Sequence, residues 1–204
     1  MSKQINPNAD EGEMGMERIV FFSDAVFAIA ITILALEIRM PKEIAHVSNA
    51  ELLNMLLAIW PKYLGYMVGF LSIGNFWVIH HRQYRHIERY DTRLMFINLL
   101  VLMAVAFIPF PTAVISENGN RTATILYALS ASLVGMLSTL LWVYASHKRR
   151  LTSQNLPGSV IQRGVVRNLI APIIFLFSIG LSYFNPDLAK FSWILIVPAV
   201  FFVK

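Results

Sequence analysis

The sequence contains no cysteine, which excludes disulfides, thiolate-bound zinc and thiol catalysis. Charge is scarce as well: only 14% of the 204 residues are Asp, Glu, Lys or Arg, where a soluble domain carries about 25%. The first seventeen residues, MSKQINPNADEGEMGME, lack the basic start and immediate apolar run of a secretory signal. They are expected to form a short polar tail, residues 1–17, in front of a retained first span.

What is present in excess is apolar surface. Hydrophobic residues make up 56% of the chain and mean hydropathy is +0.58, which points to a membrane. A hydrocarbon core of roughly 30 Å needs about 20 apolar residues in a helix. Six segments qualify: residues 18–38, 60–80, 94–115, 122–145, 165–184 and 188–203. The last is short and contains Pro198. Residues 49–59 are amphipathic and precede Pro61; they lie along the outer surface or extend the second helix. The expected fold is an all-α integral membrane protein, one six-helix module over residues 18–204.

Counting Lys and Arg by side sets the orientation. The N-terminal tail with Arg18, the 82–93 loop, the 148–167 loop and Lys204 carry twelve, whereas the alternate loops carry only four: Arg39, Lys42, Arg121 and Lys190. That excess places both termini in the cytoplasm and the chain, as a multi-pass protein, in the inner membrane. It also accounts for the formal charge of +5 without nucleic acid as a partner. Glycines in YLGYMVGF (Gly65 and Gly69), Gly135 with Ala131, and Gly180 near Ser178 fall at spacings that let helix backbones approach in lipid.

The first span opens on RIVFFSD and continues as AVFAIAITILALEI. At 100° per residue, Phe22, Val26, Ile29, Ile33 and Leu36 share one stripe, while Asp24 projects about 140° away from Ile29 and Ser23 about 120° to the other side. An ionisable residue inside a span is a functional or structural centre by default. Trp77, His80 and His81 in FWVIHH and Asn98 in the third span lie at matching depth, so a polar network around Ser23 and Asp24 competes with a carboxylate ion site. Adjacent histidines point about 100° apart and chelate one metal poorly, and neither HExxH nor a Ser-flanking glycine turn accompanies them. No metal site, cofactor or enzyme is expected. The sequence also lacks a TVGYG filter and an arginine ladder. Residues alone therefore leave a six-span channel or transporter, the latter a secondary transporter using Asp24 and His80/His81 as a proton relay.

The R-x-x-x-F-S-D pattern Arg18 to Asp24, followed by AVFAIAITILALEI and the downstream FWVIHH, resembles the transmembrane protein 175 family of potassium channels, over essentially the whole chain. That resemblance implies a homotetramer permeable to K⁺ and other monovalent cations, with the first helix of each subunit lining a central pore. Apolar side chains then serve as gate and filter. By position, Ile29 is the implied constriction, Ile33 and Leu36 lie one and two turns further out, and Thr32 is the polar residue beside them. Arg18, Phe22, Ser23 and Asp24 correspond to the family motif, implied to tie the pore helix to Trp77, His80, His81 and Asn98.

Overall fold

Among the described residues, four of the eight α-helices start where the sequence supplies a side-chain cap. The computed structural model describes residues 7–40, 47–196 and 198–199. Ser48 and Glu51 form a reciprocal capping box at the start of α2 (Asn49–Ala58), with the Glu51 carboxylate accepting from the Ser48 N–H at 2.8 Å. Asp91 accepts from the Leu94 N–H at 2.8 Å to open α4 (Thr92–Phe107), and Asn120 accepts from the Ala123 N–H at 3.0 Å to open α6 (Arg121–Ser146). Gly119, at φ 57°, ends α5 (Pro109–Asn118) in the left-handed conformation that favours glycine. The remaining helices are α1 (Pro7–Leu36), α3 (Trp60–Tyr84), α7 (Gly158–Ser182) and α8 (Pro186–Ser192).

The helices run between two ends whose loops meet. At one end the 85–91 and 147–157 loops join: the backbone N–H groups of Glu88 and Arg89 donate to the Leu151 carbonyl, at 2.9 and 3.2 Å. Beside them Asp91 accepts from the Tyr144 hydroxyl at 2.7 Å and pairs with Arg150 at 3.3 Å. At the other end Lys62 reaches both the Arg39 carbonyl and Glu117, and Lys190 donates to the Gly119 carbonyl at 3.0 Å. The two basic loops thus share one end, separate from Arg39, Arg121 and Lys190.

Four departures from the expected spans have local causes. The segment expected as a tail is helical from Pro7 and runs without a break into α1. The 49–59 segment neither extends the second helix in line nor stands apart from it: α2 meets α3 at a 45° bend over Ile59, just before Pro61. The third span is two helices, because Pro109 and Pro111 cannot donate to the carbonyls four residues back, and Ile108 instead bonds Val105 in a tight turn at 3.0 Å. Of the sixth expected span, 188–203, the chain forms α8 and a single 3₁₀ turn, Trp193–Leu195, and much of the rest lies outside the described residues. Among the described residues four helical stretches are long and apolar enough to cross a membrane, or five counting bent α2–α3. Lys42 and Lys204, counted for orientation, also fall outside the described residues.

Neighbouring helices approach closely at Gly65, Gly69 and Gly135. Gly65 and Gly69 turn α3 toward α5 and α1: a Cβ on Gly65 would stand 2.7 Å from the Ser116 Cβ, and one on Gly69 would stand 2.9 Å from the Thr112 methyl and 3.1 Å from Leu34. Gly135 lets the Pro172 ring of α7 sit directly on α6. Gly180 instead faces open space, so the expectation that it mediates a helix contact does not hold within one subunit.

Gly65→Leu is expected to lower thermal stability in detergent by about 1–3 kcal/mol, because Ser116 and its backbone must retreat, while Gly180→Ala stays within about 0.5 kcal/mol of the parent. Asp91 gives a second test. Partial burial pushes its carboxyl up, but the Leu94 N–H, the Tyr144 hydroxyl and Arg150 outweigh that and hold it below the usual carboxylate range. Its stabilisation is therefore complete above the ordinary carboxylate pKa and lost as pH falls through the depressed one. Asp91→Ala should cost about 1 kcal/mol at neutral pH through the lost cap, and the difference from the parent should shrink in melts at acid pH.

Candidate functional site: the first helix and its polar anchor

Among the described residues, α1 buries one face and leaves the other without a neighbour. Ser23, Phe27, Ala30 and Leu34 follow four-, three- and four-residue steps and are buried against the core, with α1 packed on α3, α4 and α5. On the opposite side Phe22, Ile29, Ile33 and Leu36 are exposed, Ile29 at 58% and Leu36 at 66%. Only 22% of the most apolar window of α1 is buried, against 61% of that of α6. Val26, the remaining member of the stripe, is partly buried at its edge. Thr32 lies on the open side with its hydroxyl donating to the Ile29 carbonyl at 2.9 Å, so its oxygen keeps its acceptor capacity.

The buried face carries a polar anchor. Ser23, fully buried, donates to the Ile19 carbonyl at 2.8 Å and accepts from the Asn98 side-chain NH₂ at 3.0 Å. The Asn98 carbonyl oxygen lies 2.9 Å from Nε2 of His80, so one amide on α4 joins α1 to α3. One residue along, Asp24 Oδ1 accepts from the Trp77 indole N–H at 2.8 Å. His81, exposed, enters only by stacking on Trp77, with ring centroids 5.6 Å apart. Arg18 and Phe22 are not in the bonded set; with Asn98 they line a neighbouring cleft of about 480 Å³ beside Tyr90.

The histidine has apolar walls that the motif did not mark. Phe27 lies 5.4 Å and Tyr84 4.4 Å from the His80 ring, centroid to centroid. Phe27 sits one turn after Ser23, so helical spacing places it on the same face; Tyr84 sits one turn after His80. Among the described residues the hydrogen bond on Asp24 comes from the Trp77 indole, and no direct bond or ion pair joins Asp24 to His80 or His81.

Comparison with known proteins decides the family. A sequence profile described as "Endosomal/lysosomal potassium channel TMEM175" matches residues 18–109, the part that holds the anchor and the open face. A potassium channel of Streptomyces collinus is 34% identical over 84% of both chains. The chain belongs to the TMEM175 family. The crystal structure of a lysosomal potassium-selective channel TMEM175 homolog from Chamaesiphon minutus superposes with a TM-score of 0.80 at 31% identity, over 94% of this chain and 99% of that one. The endosomal/lysosomal proton channel TMEM175 of Gallus gallus is 32% identical over 59% of this chain, which spans 25% of that relative. The fold is thus that of a membrane-channel family and not of an enzyme.

Asn98→Leu removes both halves of the bridge and leaves Ser23 and His80 buried with one partner fewer each. It should cost about 1–3 kcal/mol. In a double-mutant cycle, Ser23→Ala and Asn98→Ala should fall short of additivity by at least about 0.5 kcal/mol, read as melting shifts in detergent; strict additivity would show the bridge to be absent.

Proposed function

We propose that the protein is a potassium-permeable cation channel in which four copies surround a central pore lined by α1. The observation that carries this reading is the unpartnered face of α1: a helix anchored by polar bonds on one side and presenting Ile29, Ile33 and Leu36 on the other. In lipid, helices gain little from burying Ile or Leu against each other, so an apolar face does not by itself require a partner. A polar anchor does fix which way that face points. The relatives' names and the family supply the ion.

In this reading the Ile29 ring is the narrowest point. Branched apolar side chains around a narrow axis expel water when the gap closes and strip part of an ion's hydration when it is open. Potassium, larger than sodium, holds its water less strongly and crosses at lower cost. A tenfold preference needs only about 1.4 kcal/mol of difference, within reach of unequal dehydration without a carbonyl cage. Thr32, its hydroxyl hydrogen already engaged with the Ile29 carbonyl, offers a partly dehydrated cation an acceptor. Ala25, Ala28 and Ala35 share the open half of α1 with the Ile/Leu stripe, small enough for the next subunit's helix to approach closely.

The full subunit in this reading has six spans, the sixth formed by α8 and the residues after it. The end carrying the 82–93 and 148–167 loops faces the cytoplasm, by the excess of positive charge there, and the cell inner membrane is the site of action.

Single-channel recording of purified protein in planar bilayers tests the proposal. Discrete potassium currents are expected, with Ile29→Asn or Ile29→Ala lowering the potassium-to-sodium permeability ratio several-fold and raising leak. The native chain has no cysteine, so Leu36→Cys should make the current sensitive to a charged thiol reagent. Saturable flux without unitary currents, or an unchanged ratio in Ile29→Asn, would sink the assignment.

A further inference from the structure

At the basic end of the molecule, away from α1, a cleft of about 200 Å³ opens between α3, α6 and α7. Its walls bring together Arg82, Gln83, His86, Arg163, Arg167 and Asn168, and no carboxylate is among its lining residues. Two observations set it apart from a solvated basic surface. First, none of the three arginines makes an ion pair within 4.0 Å among the described residues, whereas Arg150 nearby is paired with Asp91. Second, three of the five buried side-chain atoms left without a hydrogen-bond partner lie on this one cleft: Arg167 Nε, Asn168 Nδ2 and Gln83 Oε1.

Two of the three side chains are buried, and Arg167 is partly exposed. Asn168 is 3% and Gln83 5% exposed, and the Gln83 NH₂ already donates to the Ser138 carbonyl at 3.1 Å, which settles that its oxygen is the unused atom. Behind them the Trp142 indole donates to the Ile161 carbonyl at 3.0 Å and packs against Gly164, the only residue type that leaves it room. A buried polar atom without a partner is uncommon in folded proteins and asks for an explanation at each occurrence. Here the set has one composition: positive charge, two donors and one acceptor.

We propose that this cleft binds a phosphate oxyanion, either the phosphate of an anionic lipid headgroup or free inorganic phosphate. Arg82, Arg163 and Arg167 supply the charge; guanidinium groups suit phosphate because their donors match its oxygens in pairs. Asn168 Nδ2 donates to a phosphate oxygen, and Gln83 Oε1 accepts from a hydroxyl, which hydrogen phosphate carries on phosphorus and phosphatidylglycerol carries on its headgroup glycerol. Basic clefts between spanning helices on the cytoplasmic side are where such headgroups lodge.

The full-length protein in detergent should be titrated with inorganic phosphate by calorimetry, and in parallel analysed by native mass spectrometry with phosphatidylglycerol against phosphatidylcholine. Saturable phosphate binding supports the free anion; retention of phosphatidylglycerol over phosphatidylcholine, without phosphate binding, supports the headgroup. In either case Arg167→Gln should weaken binding about tenfold, and Arg163→Gln, at an exposed position where folding is not at risk, should weaken it in the same direction. Arg89→Gln, on the same end but outside the cleft, should bind as the parent does. No binding of either probe, wild-type binding by both cleft variants, or equal weakening by Arg89→Gln would overturn the proposal.

Discussion

Asn98 holds the structure's orientation in a single amide group. Its NH₂ reaches Ser23 on α1 and its oxygen meets His80 on α3, so α4 sets the rotation of both neighbours at one depth. In water a helix turns its apolar face inward and needs no such device. In lipid the hydrophobic effect between helices vanishes, and hydrogen bonds and close packing are what remain to choose a face. Ser23 and Asp24 then act as a two-point restraint: adjacent residues 100° apart on the helix, one bonded toward α4 and the other toward α3 through Trp77. Two fixed bearings on one helix determine its rotation. The exposed bearing of Ile29 and Leu36 follows from where the polar atoms are satisfied.

That dependence explains which parts of the site the sequence made legible. Helical arithmetic put Ile29, Ile33 and Leu36 on one stripe and separated them from Asp24, since that needs only the helix period. It left open whether the stripe was packed or bare, because Ile and Leu serve equally on a helix interface and on a lipid or pore face. The depth of Trp77, His80 and Asn98 was readable from their distance to the basic loops. The pairing was not: Asn98 bonding Ser23 and His80 while Trp77 takes Asp24 depends on how α3 and α4 sit beside α1. Arg18 shows the reverse, a motif residue that the bonded set does not include.

The fold was similarly uneven. Long apolar runs gave the spans, Pro61 follows the bend between α2 and α3, and Pro109 and Pro111 mark the break between α4 and α5. The helix break at Ile108 was not legible, because an apolar count does not register a missing N–H, whereas residues 49–59 already stood apart from the span that opens at Trp60. The Asp91–Tyr144–Arg150 cluster was invisible for another reason: it joins residues more than fifty positions apart, and only the meeting of the two basic loops creates it. The sixth span, weakest by length, is also the one the described residues cover least.

In the proposed pore, the same restraint bears on how α1 would move Ile29. Rotating the helix by one residue's bearing, 100°, would swing Ser23 out of the core and separate Asp24 from the indole. Orphaning the buried Ser23–Asn98 pair alone costs about 1–3 kcal/mol. A rotation of α1 about its own axis is therefore an expensive way to shift Ile29. Changes of side-chain rotamer are cheaper, because among the described residues the exposed face has no neighbour to obstruct them. So is a tilt that pivots on the anchor, since it keeps all the bonds while moving the far end of the helix. Leu36, about 20 Å along the axis from Ser23 at 1.5 Å per residue, then travels furthest, and Ile29, about half as far from the anchor, moves about half as much.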